Sequence, residues 1–191
     1  MTNENNTPLK IEQPFQPFPK IPRLFRDMVI TEKLDGTNAV VYIEGDTNIK
    51  AGSRKRWITP EDDNFGFAKW VETNKKSLLT LGNGFHYGEW VGPGIQSNPY
   101  NLKEKRFYLF KIPSNGLPDC CYVVPTLYEG PFCTEKIKET LRLLKCHGSF
   151  AVEGCMKPEG IVIWHEALRT LSKITCEKDD YAKTEVKPSE K

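Results

Sequence analysis

The sequence predicts an α+β protein built from antiparallel β-sheets with two main helices flanking them. Most apolar runs are short, rich in β-branched and aromatic residues, and bounded by turn signals, which is typical of strands. Two longer segments repeat their apolar residues at helical spacing instead. Because strands and helices do not alternate regularly, a doubly wound parallel sheet is not expected.

The strands are predicted from period-two runs rich in Val, Ile, Tyr and Phe. Gly45-Asp46 is a turn signal that allows the second and third strands to form a hairpin. In chain order, the predicted strands span residues 28–33, 38–44, 48–51, 84–91, 106–112, 122–127, 149–152, 159–164 and 169–176.

Two helices are predicted from capping residues and apolar spacing. The first begins at Thr59, where a capping hydroxyl precedes Pro60 and two acids, and apolar residues carry it to about residue 79. The second begins at Thr134 and presents Ile137, Leu141 and Leu144 on one face.

The ends of the chain differ from its middle. Residues 1–20 are predicted to form an irregular arm because they are rich in Pro and Asn, and residues 177–191 a charged tail. Residues 21–176 then form the folded domain. We find neither a signal peptide nor an apolar run long enough to span a membrane, so a cytoplasmic protein with six reduced cysteines is expected.

Charge excludes one class of nucleic-acid-binding protein. The chain carries 27 Lys and Arg against 25 Asp and Glu, a net charge of +2. A bulk polycation that coats nucleic acid is therefore excluded, whereas a local basic groove is not.

The most informative segment is Glu32-Lys33-Leu34-Asp35-Gly36-Thr37-Asn38. Its lysine lies at the end of a predicted strand, directly before a turn. Backbone pairing would hold the amine in place there, and a lysine fixed in an enclosed site can act as a nucleophile. An exposed hairpin lysine is the alternative reading.

This segment resembles the nucleophile motif of the covalent nucleotidyltransferase superfamily, which contains polynucleotide ligases and mRNA capping enzymes. It looks most like the ATP-dependent RNA ligases of phages, in the nick-sealing branch. Six short motifs resemble those of the superfamily, in the right order, between Glu32 and Lys173. The resemblance implies the fold of a ligase adenylation domain, related to ATP-grasp, in which Lys33 is the nucleophile.

The resemblance also implies roles for other residues. Glu32 would meet the adenine edge, Leu34 would lie in the nucleotide site, and Asn38 would lie near the strand ends. Arg54 would contact the sugar and a strand end, Glu89 the ribose hydroxyls, Phe110 the purine face, Glu159 a metal, and Lys173 the α-phosphate. Glu153 is a weaker alternative to Glu159, because an apolar strand follows only the latter. The superfamily carries a second lysine beside Lys173, and Lys178 and Lys183 are the alternatives for its role in this sequence.

The resemblance implies an enzyme that uses ATP and Mg²⁺, or Mn²⁺, to join RNA ends through a lysyl–AMP intermediate. Its setting would be a bacterial or phage-infected cell. DNA ligation, capping guanylyltransfer and a non-catalytic RNA-end-binding module remain alternatives. Residues 177–191 are too few for a second module such as an OB-fold, so a dimer or partner protein would have to supply any clamp on the RNA.

Overall fold

The computed structural model describes residues 15–177, which form two β-sheets and three α-helices. The mixed α+β class with mainly antiparallel sheets is therefore confirmed. The strands are β1 Asp27–Lys33, β2 Thr37–Glu44, β3 Asn48–Ser53, β4 Trp57–Ile58, β5 Gly84–Val91, β6 Arg106–Leu109, β7 Cys121–Val123, β8 Thr126–Pro131, β9 Gly160–His165 and β10 Thr170–Thr175. The helices are α1 Phe67–Thr73, α2 Lys75–Leu78 and α3 Thr134–His147.

The larger sheet has six strands in the order β4-β3-β2-β5-β6-β7. Its neighbouring strands are antiparallel except for β6 and β7, which are parallel. One face of this sheet forms the main apolar core with α1 and α2. Trp90 and Phe107 lie at the centre of that core, against Phe67 of α1.

The smaller sheet has four antiparallel strands in the order β10-β9-β1-β8. One of its faces packs on α3 through Met28, Ile30, Ile161 and Ile163. Alternate residues of β1 are less buried and lie on the opposite face. The chain passes from this sheet to the larger one between β1 and β2, so residues 34–36 connect the two sheets.

Helix α3 begins at Thr134 as predicted, but the first predicted helix differs. The hydroxyl of Thr59 accepts a hydrogen bond from the Asp62 amide and forms a local turn. The Asp63 carboxylate instead accepts from the amides of Ala68 and Lys69, so the helix begins at Phe67. It is short and is interrupted at Asn74.

Two strand predictions were also wrong. Residues 149–152 form a turn, because their amides bind a carboxylate described below instead of a neighbouring strand. The segment 122–127 divides at Val124 and Pro125 between β7 of the larger sheet and β8 of the smaller one.

The predicted arm and tail lie largely beyond the described range. Residues 1–14 and 178–191, including Lys178 and Lys183, are outside it, and residues 15–23 have no regular secondary structure. Between residues 15 and 177 no helix has the length and apolar character that crossing a membrane requires.

Candidate active site

Lys33 and Glu159 meet where the smaller sheet ends. Lys33 is the last residue of β1 and lies opposite Gly160, the first residue of β9. Glu159 directly precedes β9, so it lies next to Lys33. The Lys33 Nζ lies 2.6 Å from Glu159 Oε2, and the two side chains are 20% and 27% exposed. That buried oxygen has no hydrogen-bond partner of regular geometry among the described residues, so the ion pair with Lys33 is its main contact.

Gly160 fixes the position of this carboxylate. Its φ is +155°, and a Cβ at this position would lie 2.1 Å from the carbonyl oxygen of Ile174. Only glycine therefore allows β10 to pack beside β9 here. The Glu159 carbonyl also accepts a hydrogen bond from the Cys176 amide at 2.8 Å.

The turn after Lys33 is held from a distant part of the chain. The Asp35 amide donates to the Tyr100 hydroxyl at 2.6 Å, and Ser97 Oγ donates to the Asp35 carboxylate at 2.8 Å. A Cβ on Gly36 would lie 2.6 Å from the Trp90 carbonyl oxygen. The close approach of this turn to β5 therefore brings the end of β1 next to the larger sheet.

The Leu34 side chain packs into the core directly after Lys33. It is 4% exposed and packs with Val91, Tyr108 and Val152 in an apolar core cluster. An apolar side chain directly after Lys33 turns inward because the neighbouring side chains of an extended chain point to opposite sides. Its side chain is thus part of the core, and its predicted place in the nucleotide site stays a prediction.

Glu89 and Asn38 form the second polar pair of the site. They lie opposite each other on β5 and β2, and Asn38 Nδ2 donates to Glu89 Oε2 at 2.9 Å. Glu89 is 8% exposed, and burial raises the pKa of its carboxyl from 4.5 to about 7, although Lys33 acts to lower it. Lys33, Glu89 and Glu159 are therefore close enough to interact electrostatically.

Glu32 lies on the opposite face of β1 from Lys33. Its carboxylate accepts hydrogen bonds from Ser149 Oγ at 2.5 Å and from the amides of Phe150 and Ala151 at 2.8 and 3.0 Å. Burial raises the pKa of Glu32, while these hydrogen bonds lower it. The structure thus gives Glu32 an anchoring role for the 149–152 turn, and its predicted contact with adenine stays a prediction.

The other predicted residues lie around this centre. Arg54 is exposed in the β3–β4 turn, and Phe110 follows β6 with 47% of its surface exposed. Lys173 is exposed on β10, where its pairing with Val162 places it on the same sheet face as Lys33. The structure therefore brings Lys33, Glu159, Glu89 and Asn38 together. Arg54, Phe110 and Lys173 lie around this cluster.

Several structural details were not predicted from the motifs. Tyr100 and Ser149 have no sequence signal, because their partners Asp35 and Glu32 lie far away in the chain. The space beside Gly88 is filled by the Phe107 ring, 2.6 Å from where a Cβ would lie.

The carboxylates of Glu159 and Glu89 suit Mg²⁺ or Mn²⁺ only when substrate phosphates supply further oxygen ligands. Among the described residues there is no group of three or more His, Cys, Asp or Glu placed to hold a metal. Mg²⁺ and Mn²⁺ favour oxygen donors, and Mg²⁺ commonly binds one or two carboxylates together with substrate phosphates. Glu159, with Glu89 nearby, fits that mode of binding.

A lysine at a strand end, paired with a carboxylate beside a second β-sheet, is the arrangement that the resemblance to the nucleotidyltransferases leads one to expect. The RNA ligase family model matches residues 26–183, and the chain belongs to this family. No curated protein matches the chain.

The solved structures that resemble this fold include several forms of Naegleria gruberi RNA ligase. A substituted apo form is 24% identical with a TM-score of 0.56, over 78% of this chain and 49% of that one. A substituted form with AMP and Mn is 22% identical with a TM-score of 0.56, over 80% and 50%. Another with ATP and Mn is 21% identical with a TM-score of 0.53, over 78% and 49%. The chain spans about half the length of these ligases.

Proposed function

We propose that this protein is an ATP-dependent RNA ligase that joins a 3′-hydroxyl end to a 5′-phosphate end through a lysyl–AMP intermediate. The observation that carries the proposal is the Lys33–Glu159 ion pair beside the Asn38–Glu89 pair. Family membership and the ATP, AMP and Mn in the solved Naegleria gruberi ligase forms support it.

Lys33 is the proposed nucleophile. Its Nζ would attack the α-phosphorus of ATP, forming an N–P bond as the bond to pyrophosphate breaks. The AMP then passes to the 5′-phosphate of an RNA end, and a 3′-hydroxyl displaces AMP as the phosphodiester forms. Such transfers depend mainly on positioning and charge stabilisation, and the strand pairing of Lys33 supplies the positioning.

Glu159 has two proposed tasks. In the free protein it forms an ion pair with Nζ, so the amine contacts a carboxylate until substrate binds. A divalent cation held by Glu159 would neutralise charge on the phosphate oxygens. Lys173, on the same sheet face as Lys33, would contact those oxygens from β10.

Glu89 and Phe110 are proposed to hold the nucleoside. A carboxylate accepts hydrogen bonds from ribose hydroxyls, and Glu89 keeps one oxygen free of the Asn38 amide. Phe110 presents a half-exposed ring at the end of β6, where a purine could stack on it.

Residue spacing supports the same assignment. Among the solved Naegleria gruberi ligase forms, a substituted lysine and a substituted aspartate are two positions apart, as Lys33 and Asp35 are here. A substituted glutamate and lysine are fourteen positions apart, as Glu159 and Lys173 are here.

Incubation with α-labelled ATP and Mg²⁺ tests the chemistry. We expect a covalent protein–AMP adduct that Lys33→Ala abolishes and Lys138→Ala, an exposed lysine on α3, leaves unchanged. An adduct that persists in Lys33→Ala would remove Lys33 from the nucleophile role. Labelling by GTP instead would indicate a capping enzyme, and ATP binding without an adduct would indicate a binding module.

A ligation panel tests the substrate. Nicked duplex RNA, nicked DNA, an RNA–DNA hybrid and single-stranded RNA, each with a 5′-phosphate, are offered to the adenylated protein. We expect joining of RNA ends, and joining of nicked DNA alone would identify a DNA ligase.

A further inference from the structure

We propose that a strip of aromatic residues on one face of the larger sheet is a stacking surface for the bases of single-stranded RNA that leads to the reacting end. The aromatic strip consists of Tyr42, Trp57, Phe85 and Tyr87. The inference rests on the proposed function and names the path by which the RNA approaches Lys33.

The rings of the aromatic strip form one continuous surface. Phe85 lies at its centre, with ring centroids 4.5 Å from Tyr42, 5.8 Å from Tyr87 and 6.2 Å from Trp57. The Phe85 ring is within 10° of parallel to Tyr87 and within 23° of parallel to Trp57. Trp57, Phe85 and Tyr87 are 49%, 53% and 57% exposed, so flat ring faces and edges remain open to a ligand.

The rings of the aromatic strip lie on the face of the larger sheet that does not pack against the main apolar core. Along β5, Trp90 and Gly88 face α1 and the main apolar core, whereas Phe85, Tyr87 and Glu89 lie on the other face. Gly52 leaves room for the Trp57 ring, which would lie 3.1 Å from a Cβ there. Large apolar patches held open to water commonly mark binding surfaces.

The aromatic strip is continuous with the candidate active site. Phe85 and Glu89 lie on the same face of one strand, four residues apart, which corresponds to about 13 Å. Asn38, opposite Glu89, and Tyr42, opposite Phe85, extend the same face across β2. At about 3.4 Å for each stacked nucleotide, this distance accommodates about four nucleotides.

The charges beside the aromatic strip favour RNA over an apolar protein segment. Lys50 lies directly opposite Tyr42 across β2 and β3, and Arg54 and Lys55 occupy the turn that leads into Trp57. All three cations are exposed. Aromatic rings that bind bases, flanked by cations that bind the backbone, are the usual combination for single-stranded nucleic acid.

The test measures how RNA affinity depends on the aromatic rings of the strip. A fluorescein-labelled, 5′-phosphorylated 12-nucleotide single-stranded RNA is titrated by anisotropy without ATP. Phe85→Leu and Trp57→Leu keep apolar area but remove the ring, whereas Phe85→Tyr keeps the ring. Leu143→Ala, at an exposed position on α3, is the matched control.

We expect the Kd to rise about 5- to 150-fold when either ring is replaced by leucine. Phe85→Tyr and Leu143→Ala should bind the RNA as the parent protein does. Unchanged affinity in both leucine variants would overturn the inference, as would an equal loss in Leu143→Ala. Concentration-dependent self-association that Phe85→Leu abolishes, with RNA binding unchanged, would show that the strip binds a second copy instead.

Thermal unfolding of each variant guards against misfolding. If Phe85→Leu unfolds early, Trp57→Leu decides the question, because Trp57 lies in a two-residue strand at the sheet edge. The adduct assay on the parent protein keeps the two proposals apart. Adduct formation with ring-independent RNA binding would refute only the strip, whereas ring-dependent binding without an adduct would refute only the ligase.

Discussion

Replacement of Glu89 by glutamine should stabilise the folded protein at alkaline pH. Burial raises the pKa of Glu89 from 4.5 to about 7, so between these pH values the folded protein holds a proton that the unfolded chain has lost. Stability therefore falls as the pH rises through this interval. At about 1.4 kcal/mol for each pH unit, the loss from Glu89 is about 3 kcal/mol.

Urea unfolding at pH 5 and pH 8 measures this effect. Glutamine keeps an oxygen that accepts the Asn38 amide and cannot ionise, so Glu89→Gln should lose less stability than the parent between the two pH values. The difference between the proteins should reach about 3 kcal/mol at pH 8 and stay under about 1 kcal/mol at pH 5, which is only slightly above the unfolded pKa of 4.5. Asp62→Asn, at an exposed carboxylate, serves as the control. An equal pH dependence in parent and Glu89→Gln would refute the reasoning.

Three further predictions follow from the contacts around Lys33. Gly160→Ala places a Cβ against the Ile174 carbonyl, and it should destabilise the protein in urea by over about 2 kcal/mol, more than Gly45→Ala, where nothing lies within 4 Å. Glu32→Ala removes the acceptor of three hydrogen bonds from the 149–152 turn, so it should lower the free energy of unfolding in urea by about 3 kcal/mol. A loss under about 1 kcal/mol would contradict this anchoring role. Lys173→Ala should slow formation of the labelled AMP adduct at least about tenfold without changing the unfolding midpoint, and an unchanged rate would exclude its phosphate contact.

The sheets could be predicted because alternation of apolar and polar residues is a local property of the chain. The pairing of Asn38 with Glu89 agrees with two motifs that each lie on a predicted strand. The contact of Asp35 with Tyr100 could not be predicted, since 65 residues separate them and Tyr100 belongs to no local pattern. The 149–152 segment contains Phe150 and Val152, which favour strands, but the buried carboxylate of Glu32 accepts hydrogen bonds from two of its amides. Hydrogen bonds to a residue far away in the chain thus outweighed the local preference of this segment for a strand.

The distribution of unfavourable features also supports the proposed site. On the larger sheet, one face packs Trp90 and Phe107 against helices, as stability requires. The other face holds a buried carboxyl that resists ionisation and rings that stay open to water. Neither feature stabilises the free protein, and both lie on the face that leads to Lys33. A ligand that donates hydrogen bonds to Glu89 and stacks on Phe85 would offset both costs at once, and an RNA–nucleotide substrate carries both kinds of group. The stability gained in Glu89→Gln should therefore be accompanied by a loss of adduct formation, whereas a variant that gained stability and kept full adenylation would break this link.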